Sequence, residues 1–117
     1  MTQFRLLSWL VMSLILAPLA GCSVTFDVSN GYSATADVSV RDPDSMEETF
    51  VISVNAGGGG SAVVRPANTS DFDVLVKSGG NLLTNGEQTH LNVDALNEQV
   101  NIEILSDGSV TISVDPK

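Results

Sequence analysis

Few side chains in this 117-residue sequence can do chemistry. There is one cysteine, Cys22, and one histidine, His90, so neither a thiol nor an imidazole has a second copy to act with. Cys22 directly follows an apolar stretch, where its thiol could carry a covalent group. Carboxylates are more numerous, with 14 Asp and Glu residues, and four of them fall within residues 42–48. The chemistry to consider is therefore modification of one thiol and coordination or acid–base work by carboxylates.

The apolar stretch predicts an export signal. Residues 6–20 are apolar apart from Ser8 and Ser13, follow Arg5 and end in small residues. A membrane-spanning helix needs about 20 apolar residues, so this run is short for one. A positive start, an apolar centre and a small-residue exit are typical of a secretory signal. We expect residues 1–21 to be a cleaved signal peptide and residues 22–117 to form one domain; the alternative, a buried core helix, would have no polar face.

The residues Leu19-Ala20-Gly21-Cys22 resemble the lipobox of bacterial lipoproteins, in which a dedicated peptidase cleaves just before the cysteine. The resemblance implies that Leu19, Ala20 and Gly21 are the peptidase recognition residues. It also implies a diacylglyceryl thioether on the Cys22 sulfur and an acyl chain on the new amino group. Each buried methylene contributes about 0.8 kcal/mol, so two or three chains hold a protein firmly on a bilayer. The alternative is an ordinary secreted protein with one free thiol.

Ser23 stands where lipoproteins of Gram-negative cells carry Asp as the usual inner-membrane retention signal. By the same resemblance, Ser23 implies transport to the outer membrane, with the domain facing the periplasm. Because only Ser23 separates Cys22 from an alternating run, we expect the domain to lie against the headgroups, with fewer acidic residues at its membrane-facing end than in the rest of the domain. The alternative is that residues 23–33 are a disordered tether and the fold starts near Ala34.

The mature chain is strongly acidic. Removing residues 1–21 takes away Arg5 and no acidic residue, so the formal charge becomes 4 − 14 = −10. Such a surface repels nucleic-acid phosphates, which excludes nucleic-acid binding. The partners we expect are the membrane, through the lipid anchor, and another envelope protein.

Alternating apolar and polar residues run through the mature chain, and period two is typical of half-buried strands. Turn residues separate the runs. The expected inward-facing residues are Val24, Phe26, Val28, Ala34, Ala36, Val38, Val40, Phe50, Ile52, Val54, Phe72, Val74, Val76, Leu91, Val93, Val100, Ile102, Ile104, Val110, Ile112 and Val114. Seven or eight short strands at this spacing predict an all-β antiparallel β-sandwich.

Residues 89–116 resemble the last three strands of immunoglobulin-like or fibronectin-type domains, in which a connection crosses between the sheets before the final hairpin. The resemblance implies an immunoglobulin-like sandwich. In that hairpin, Asp107-Gly108 predicts a type I′ turn, because Gly adopts positive φ without strain.

Two groups of residues are weak candidates for a site. Asp42, Asp44, Glu47 and Glu48 offer the oxygen ligands that Ca²⁺ prefers, although they depart from the EF-hand spacing and a solvated turn is the simpler interpretation. His90 would face solvent beside Gln88 and Asn92 if Leu91 and Val93 face inward, as would Asp71 and Asp73 beside an inward Phe72. No G-x-S-x-G motif accompanies His90, so we expect no nucleophilic catalysis.

These observations leave three hypotheses for the function. The first is a non-catalytic lipid-anchored envelope protein that scaffolds or binds a protein partner, with no cofactor beyond its acyl chains. The second is a surface-exposed adhesin or ligand-binding module, assisted by calcium. The third, a carboxylate-based hydrolase, would require two acidic groups to converge in a pocket, for which no motif gives support. We therefore expect the protein not to be an enzyme.

Overall fold

The computed structural model describes residues 23–84 and 89–117, so the expected signal peptide, the residues that resemble a lipobox and Gln88 lie outside the described residues. Within these ranges the chain forms nine β-strands and no α-helix. The strands are β1 (Val24–Asn30), β2 (Ala36–Arg41), β3 (Glu48–Val54), β4 (Gly59–Val64), β5 (Asp71–Ser78), β6 (Asn81–Leu82), β7 (His90–Asn92), β8 (Glu98–Ile104) and β9 (Val110–Pro116).

The strands form two sheets, which confirms the all-β sandwich. The first sheet has the order β4-β1-β8-β9, and the second has β3-β2-β5-β6 with β7 also paired to β5. All pairs are antiparallel except β1 and β8, which are parallel. The chain crosses from the second sheet to the first between β7 and β8, as the closing pattern implied. The first two strands share a sheet in an immunoglobulin constant domain, whereas β1 and β2 lie in opposite sheets here.

The core lies between the two sheets and consists mainly of β-branched side chains with two phenylalanines. Phe26 of the first sheet and Phe72 of the second meet across it, with ring centroids 5.9 Å apart and planes tilted by 51°. The inward rows expected for β1, β5 and β8 are all buried. Their alternation survives in the structure because each of these strands is paired on both sides and cannot slip without exposing its apolar row.

The inward face expected for β3 is wrong in part. Phe50 is 61% exposed and Val51 is buried instead. The register with β2 shifts between Val38 and Ser39, so that Val38 pairs with Ile52 while Ser39 pairs with Phe50. A bulge inserts one extra residue into a strand, and the residues before it change face relative to those after it. The alternation of apolar and polar residues in the sequence does not predict such an insertion.

Two smaller expectations also differ. Ala34 is exposed, because β2 begins only at Ala36. The β8–β9 turn is not type I′, which requires positive φ at both central residues, since Gly108 has φ 87° and Asp107 does not have positive φ. The Leu105 amide donates to the Ser109 carbonyl at 2.8 Å and the Gly108 amide to the Leu105 carbonyl at 3.0 Å. This pattern is that of a three-residue loop with glycine in the left-handed position.

Candidate functional site

The loops lie at two opposite ends of the sandwich. β1 and β8 begin at one end, where the antiparallel β4 and β9 finish. We call this end the proximal pole; it consists of residue 23, the loops 42–47, 65–70 and 93–97, and residues 116–117. Hydrogen bonds from the Val93 amide to the Ser70 carbonyl and from the Lys117 amide to the Asn97 carbonyl hold its segments together. The distal pole consists of the loops 31–35, 55–58 and 105–109.

The first strand begins beside the residue expected to carry the lipid. Cys22 itself lies outside the described residues, but Val24 is fully buried and pairs with Val64. Residues 24–30 form a strand that is paired with β4 and β8, so a tether that continues to residue 33 is wrong for this segment. An extended chain advances about 3.3–3.6 Å per residue, so two residues of chain span at most about 7 Å.

The proximal pole carries four of the described acidic residues and two basic ones, Arg65 and Lys117, so the expectation that this end has fewer acidic residues than the rest of the domain is not contradicted. Its loops contain Asp42, Asp44, Glu47 and Asp94, whereas Asp107 is the only acidic residue in the distal loops. The pole also exposes two apolar residues, Met46 at 57% and Leu96 at 67%, and Met46 has a left-handed φ of 63°. Acidic side chains of the same loops flank these two apolar side chains, and Arg65 and Lys117 lie at the same end.

The acidic turn holds itself together without a ligand. One Asp42 carboxylate oxygen accepts from the Asp44 amide at 3.1 Å and the other from the Ser45 hydroxyl at 2.9 Å. Asp44 and Glu47 are exposed. Within residues 23–84 and 89–117, no group of three or more His, Cys, Asp or Glu side chains is placed to hold a metal ion.

Glu48, the fourth carboxylate of the calcium candidate, is used elsewhere. It lies on the outer face of β3, where its Oε1 atom accepts from the Ser39 hydroxyl at 2.6 Å and from Lys77 Nζ at 3.1 Å. These two hydrogen bonds, that from Ser39 first, hold the pKa of Glu48 below its ordinary value. The chain thus divides the four carboxylates between a turn and an ion pair on the sheet.

A charged cluster that the sequence pattern did not reveal lies on the outer face of the second sheet. His90 Nδ1 is 2.8 Å from Asp73 Oδ1, and His90 Nε2 is 2.7 Å from Asp71 Oδ1. Arg41 Nη2 lies 3.4 Å from the other Asp73 oxygen. The hydrogen bond to Asp73 and the negative charge of Asp71 raise the pKa of His90. Both ring nitrogens face carboxylates, so His90 links β7 to Asp71 and Asp73 of β5, and neither nitrogen is free of a partner.

The outer face of the first sheet is flat, polar and acidic, and we call it the polar face. Asp27, Asn101 and Ser113 are register partners across β1, β8 and β9. Ser29, Glu103 and Thr111 form the next row. The six side chains line a shallow depression of about 360 Å³. All four basic residues in the described ranges lie elsewhere: Arg41 and Lys77 in the second sheet, Arg65 and Lys117 at the proximal pole.

The strand β9 borders this face and has an open edge. It pairs with β8 through seven register partners and, within the described residues, with no other strand. Its inward residues Val110, Ile112 and Val114 are only partly buried. At the opposite border, β4 is packed closely against β3: a Cβ added at Gly60 would lie 2.9 Å from Ile52 Cδ1. The edge strands β3 and β4 of the two sheets therefore lie close together here, although they are not paired with each other.

Comparisons with known proteins add no family. No family model matches the chain, and no curated protein matches it. Among solved structures, it resembles one described as the NMR structure of the protein from Eubacterium rectale, with 14% identity and a TM-score of 0.49 over 81% of this chain and 90% of that chain. Within the described residues, no helix is long and apolar enough to cross a membrane.

Proposed function

We propose that this is a non-catalytic, lipid-anchored protein of the cell envelope, in which a β-sandwich held at the outer membrane and facing the periplasm binds another envelope protein. The observation that carries the proposal is the start of β1 at the fully buried Val24, two residues after Cys22. Cleavage before Cys22 would place the acylated residue directly beside a strand with neighbours on both sides. The acyl chains on Cys22 would be the only non-protein groups.

The short connection determines what the domain can reach. With about 7 Å of chain between the acylated residue and the core, the proximal pole lies at the headgroups. Four carboxylates against Arg65 and Lys117 give the side chains of this pole a formal charge of 2 − 4 = −2, which disfavours anionic lipid, while Met46 and Leu96 can touch neutral headgroups. A partner of such a domain is a protein at the same height above the membrane, bound through the sides of the sandwich.

The geometry of the polar groups supports a binding role over catalysis. His90 is occupied by two aspartates, and Glu48 by Ser39 and Lys77. The outer faces of the sheets are shallow, so they offer little shelter from water for a reaction. Binding to nucleic acid is disfavoured by the formal charge of −10.

The anchor is tested by changing Cys22. In cells fed a labelled fatty acid, the wild-type protein should incorporate label and partition into detergent, and Cys22→Ala should lose both properties and remain uncleaved or soluble. The matched control is Ser33→Ala, which leaves the lipobox intact. Unchanged labelling in Cys22→Ala would overturn the proposal of a lipid anchor.

Sorting between the two membranes is tested by Ser23→Asp, which should move the protein from the outer to the inner membrane.

The orientation is tested with a single tryptophan, because the sequence has one Trp, in the signal peptide, and the mature domain has none. Leu96→Trp and Leu105→Trp place the probe at the proximal and distal poles. In the lipidated protein bound to phosphatidylethanolamine vesicles, brominated lipid should quench the first at least threefold more than the second. Equal quenching would contradict a proximal pole that lies at the headgroups.

A further inference from the structure

We infer that the open edge of β9 binds an extended segment that alternates apolar with basic residues, which adds a fifth strand to the first sheet. The inference rests on the proposed function, since it names the class of partner for that binding role. Strand addition combines main-chain hydrogen bonds for affinity with alternate side chains for specificity. The edge, the apolar row behind it and the charge beside it each carry part of this inference.

The edge itself lacks the usual protection. Natural edge strands are commonly shielded by Lys, by Pro, by bulges or by inward-pointing charges. β9 has the sequence VTISVDP, without Lys or Arg, with Pro116 only at its last position, and its register with β8 is unbroken over seven pairs. β3, at the edge of the other sheet, contains a bulge. The main chain of β9 is thus a regular template for another strand.

The inner side of an added strand would meet an apolar row. Val110, Ile112 and Val114 point towards the core but are only partly buried, because no strand lies beyond β9 in the described part of the chain. Apolar residues at every second position of an added strand would cover this row. Burial of apolar area contributes about 25 cal/mol per Å², which favours an apolar side chain at each of these positions.

The outer side of an added strand would meet the polar face. Asp115 lies on β9, Glu103 on β8 and Asp27 on β1, and none of these three strands contains a basic residue, Lys117 being the next residue after β9. Hydrogen bonds from Asn101 and then from Ser113 hold the pKa of Asp115 below its ordinary value, so this edge carboxylate stays charged near neutral pH. Complementary charge at a binding surface increases the association rate and selects the partner. Lys or Arg at the alternate positions of the strand therefore fits this side.

The same charge disfavours a second copy of this chain. Antiparallel pairing of two β9 strands about Ser113 would place Thr111 opposite Asp115 and join two polar faces into one. The combined face would carry two sets of Asp27, Glu103 and Asp115, with Lys117 of each copy as the one basic residue close to the joined edge. A basic strand from a different protein meets no such repulsion.

The experiment uses the mature lipidated protein in detergent micelles, with acylation of Cys22 established by mass spectrometry. Failure of strand addition is thereby distinguishable from failure of the anchor. The probe is the acetylated peptide TKVKVKVT, titrated while backbone amides are followed by NMR. The expected result is shifts along β9 and β8. Two control peptides should each bind at least tenfold more weakly than TKVKVKVT. They are the acidic peptide TEVEVEVT and a form of TKVKVKVT with alternate backbone amides methylated.

Charge variants complete the test. Glu103→Lys should weaken binding of the basic peptide at least fivefold and strengthen binding of the acidic peptide. The control is Asp37→Lys, a charge reversal on the outer face of the second sheet, which should alter the binding of neither peptide. Shifts confined to other strands, equal binding of the two peptides, or no binding would each overturn the inference. A concentration-dependent dimer formed through β9, measured by sedimentation, would also overturn the inference, because the edge would then bind a second copy of this chain.

Discussion

One buried amide, that of Asn30, links three segments of the chain. Asn30 is 1% exposed, and its Nδ2 group donates to the carbonyls of Ala34 at 2.9 Å and Val54 at 3.0 Å. A third carbonyl, that of Asn55, lies at 3.3 Å, and Oδ1 accepts from the Tyr32 amide at 3.0 Å. This side chain replaces the water that the backbone groups at the distal pole would otherwise need. It joins the end of β1 to both neighbouring loops.

Removal of that amide should be costly. Asn30→Ala leaves buried carbonyls without donors, and an unsatisfied buried polar group costs about 1–3 kcal/mol. We expect the free energy of unfolding, measured by urea denaturation, to fall by at least about 2 kcal/mol. The control, Asn92→Ala at an exposed position, should change it by less than about 0.5 kcal/mol. A loss at Asn30 as small as that of the control would show that the network adds little.

His90 makes the link between β5 and β7 dependent on pH. Its pKa is raised in the folded protein, chiefly by the hydrogen bond to Asp73. The stabilisation is therefore fully present below the unfolded value of about 6.5 and is lost as the pH rises through the folded pKa. An NMR titration of the ring protons should give a pKa above 6.5 that falls in Asp73→Asn. A wild-type pKa at or below 6.5 would contradict the geometry of the cluster.

At the scale of elements, the bulge in β3 determines which of two neighbouring side chains, Phe50 or Val51, is buried in the core. Alternation alone makes Phe50 a core residue and Val51 a surface residue, and the structure has the opposite. Val51→Ala should lower the free energy of unfolding by about 1.5–3 kcal/mol, because it removes two buried methyl groups and leaves a cavity. Phe50→Ala should change it by less than about 0.5 kcal/mol. Urea denaturation of the two variants under the same conditions decides it, and a larger loss for Phe50→Ala would refute the bulge.

The border between β3 and β4 differs from the edge of β9 in how closely the two sheets approach each other. Gly60 lies in β4, and a side chain there would meet Ile52 of the opposite sheet. The missing side chain lets the two edge strands lie close together on that side. Within the described residues β9 pairs only with β8, which leaves its edge available.

At the scale of the whole molecule, the position of β1 would determine the distance between the domain and a membrane if Cys22 carries the proposed lipid anchor. A strand paired on both sides should exchange its amide hydrogens slowly, whereas a free tether exchanges within seconds. We expect slow exchange across residues 25–28 of the mature protein, measured by NMR or mass spectrometry. Residues 33–35, in the loop before β2, serve as the fast-exchanging reference. Rapid exchange at residues 25–28 would end the proposal that the proximal pole lies at the headgroups.

Much of the architecture could be predicted from the sequence, because burial on one face leaves a local mark. The inward rows of β1, β5 and β8 follow from alternation, since each strand has one face on the core and one in water. Turn residues separated the strands, and the closing stretch predicted the crossing between sheets. The export signal and the lipobox resemblance are local as well, and they stay predictions.

Tertiary structure decided what depends on pairs of distant residues. The bulge in β3 exists only relative to β2, and the parallel pairing of β1 with β8 joins segments about 70 residues apart. His90 gains its two aspartates only because β7 pairs with β5 in one register. The acidic proximal pole likewise arises from loops that sheet topology brings to one end. Alternation specifies which face of a strand is buried, but pairing and register set its neighbours, and those neighbours determine the charge clusters and the open edge.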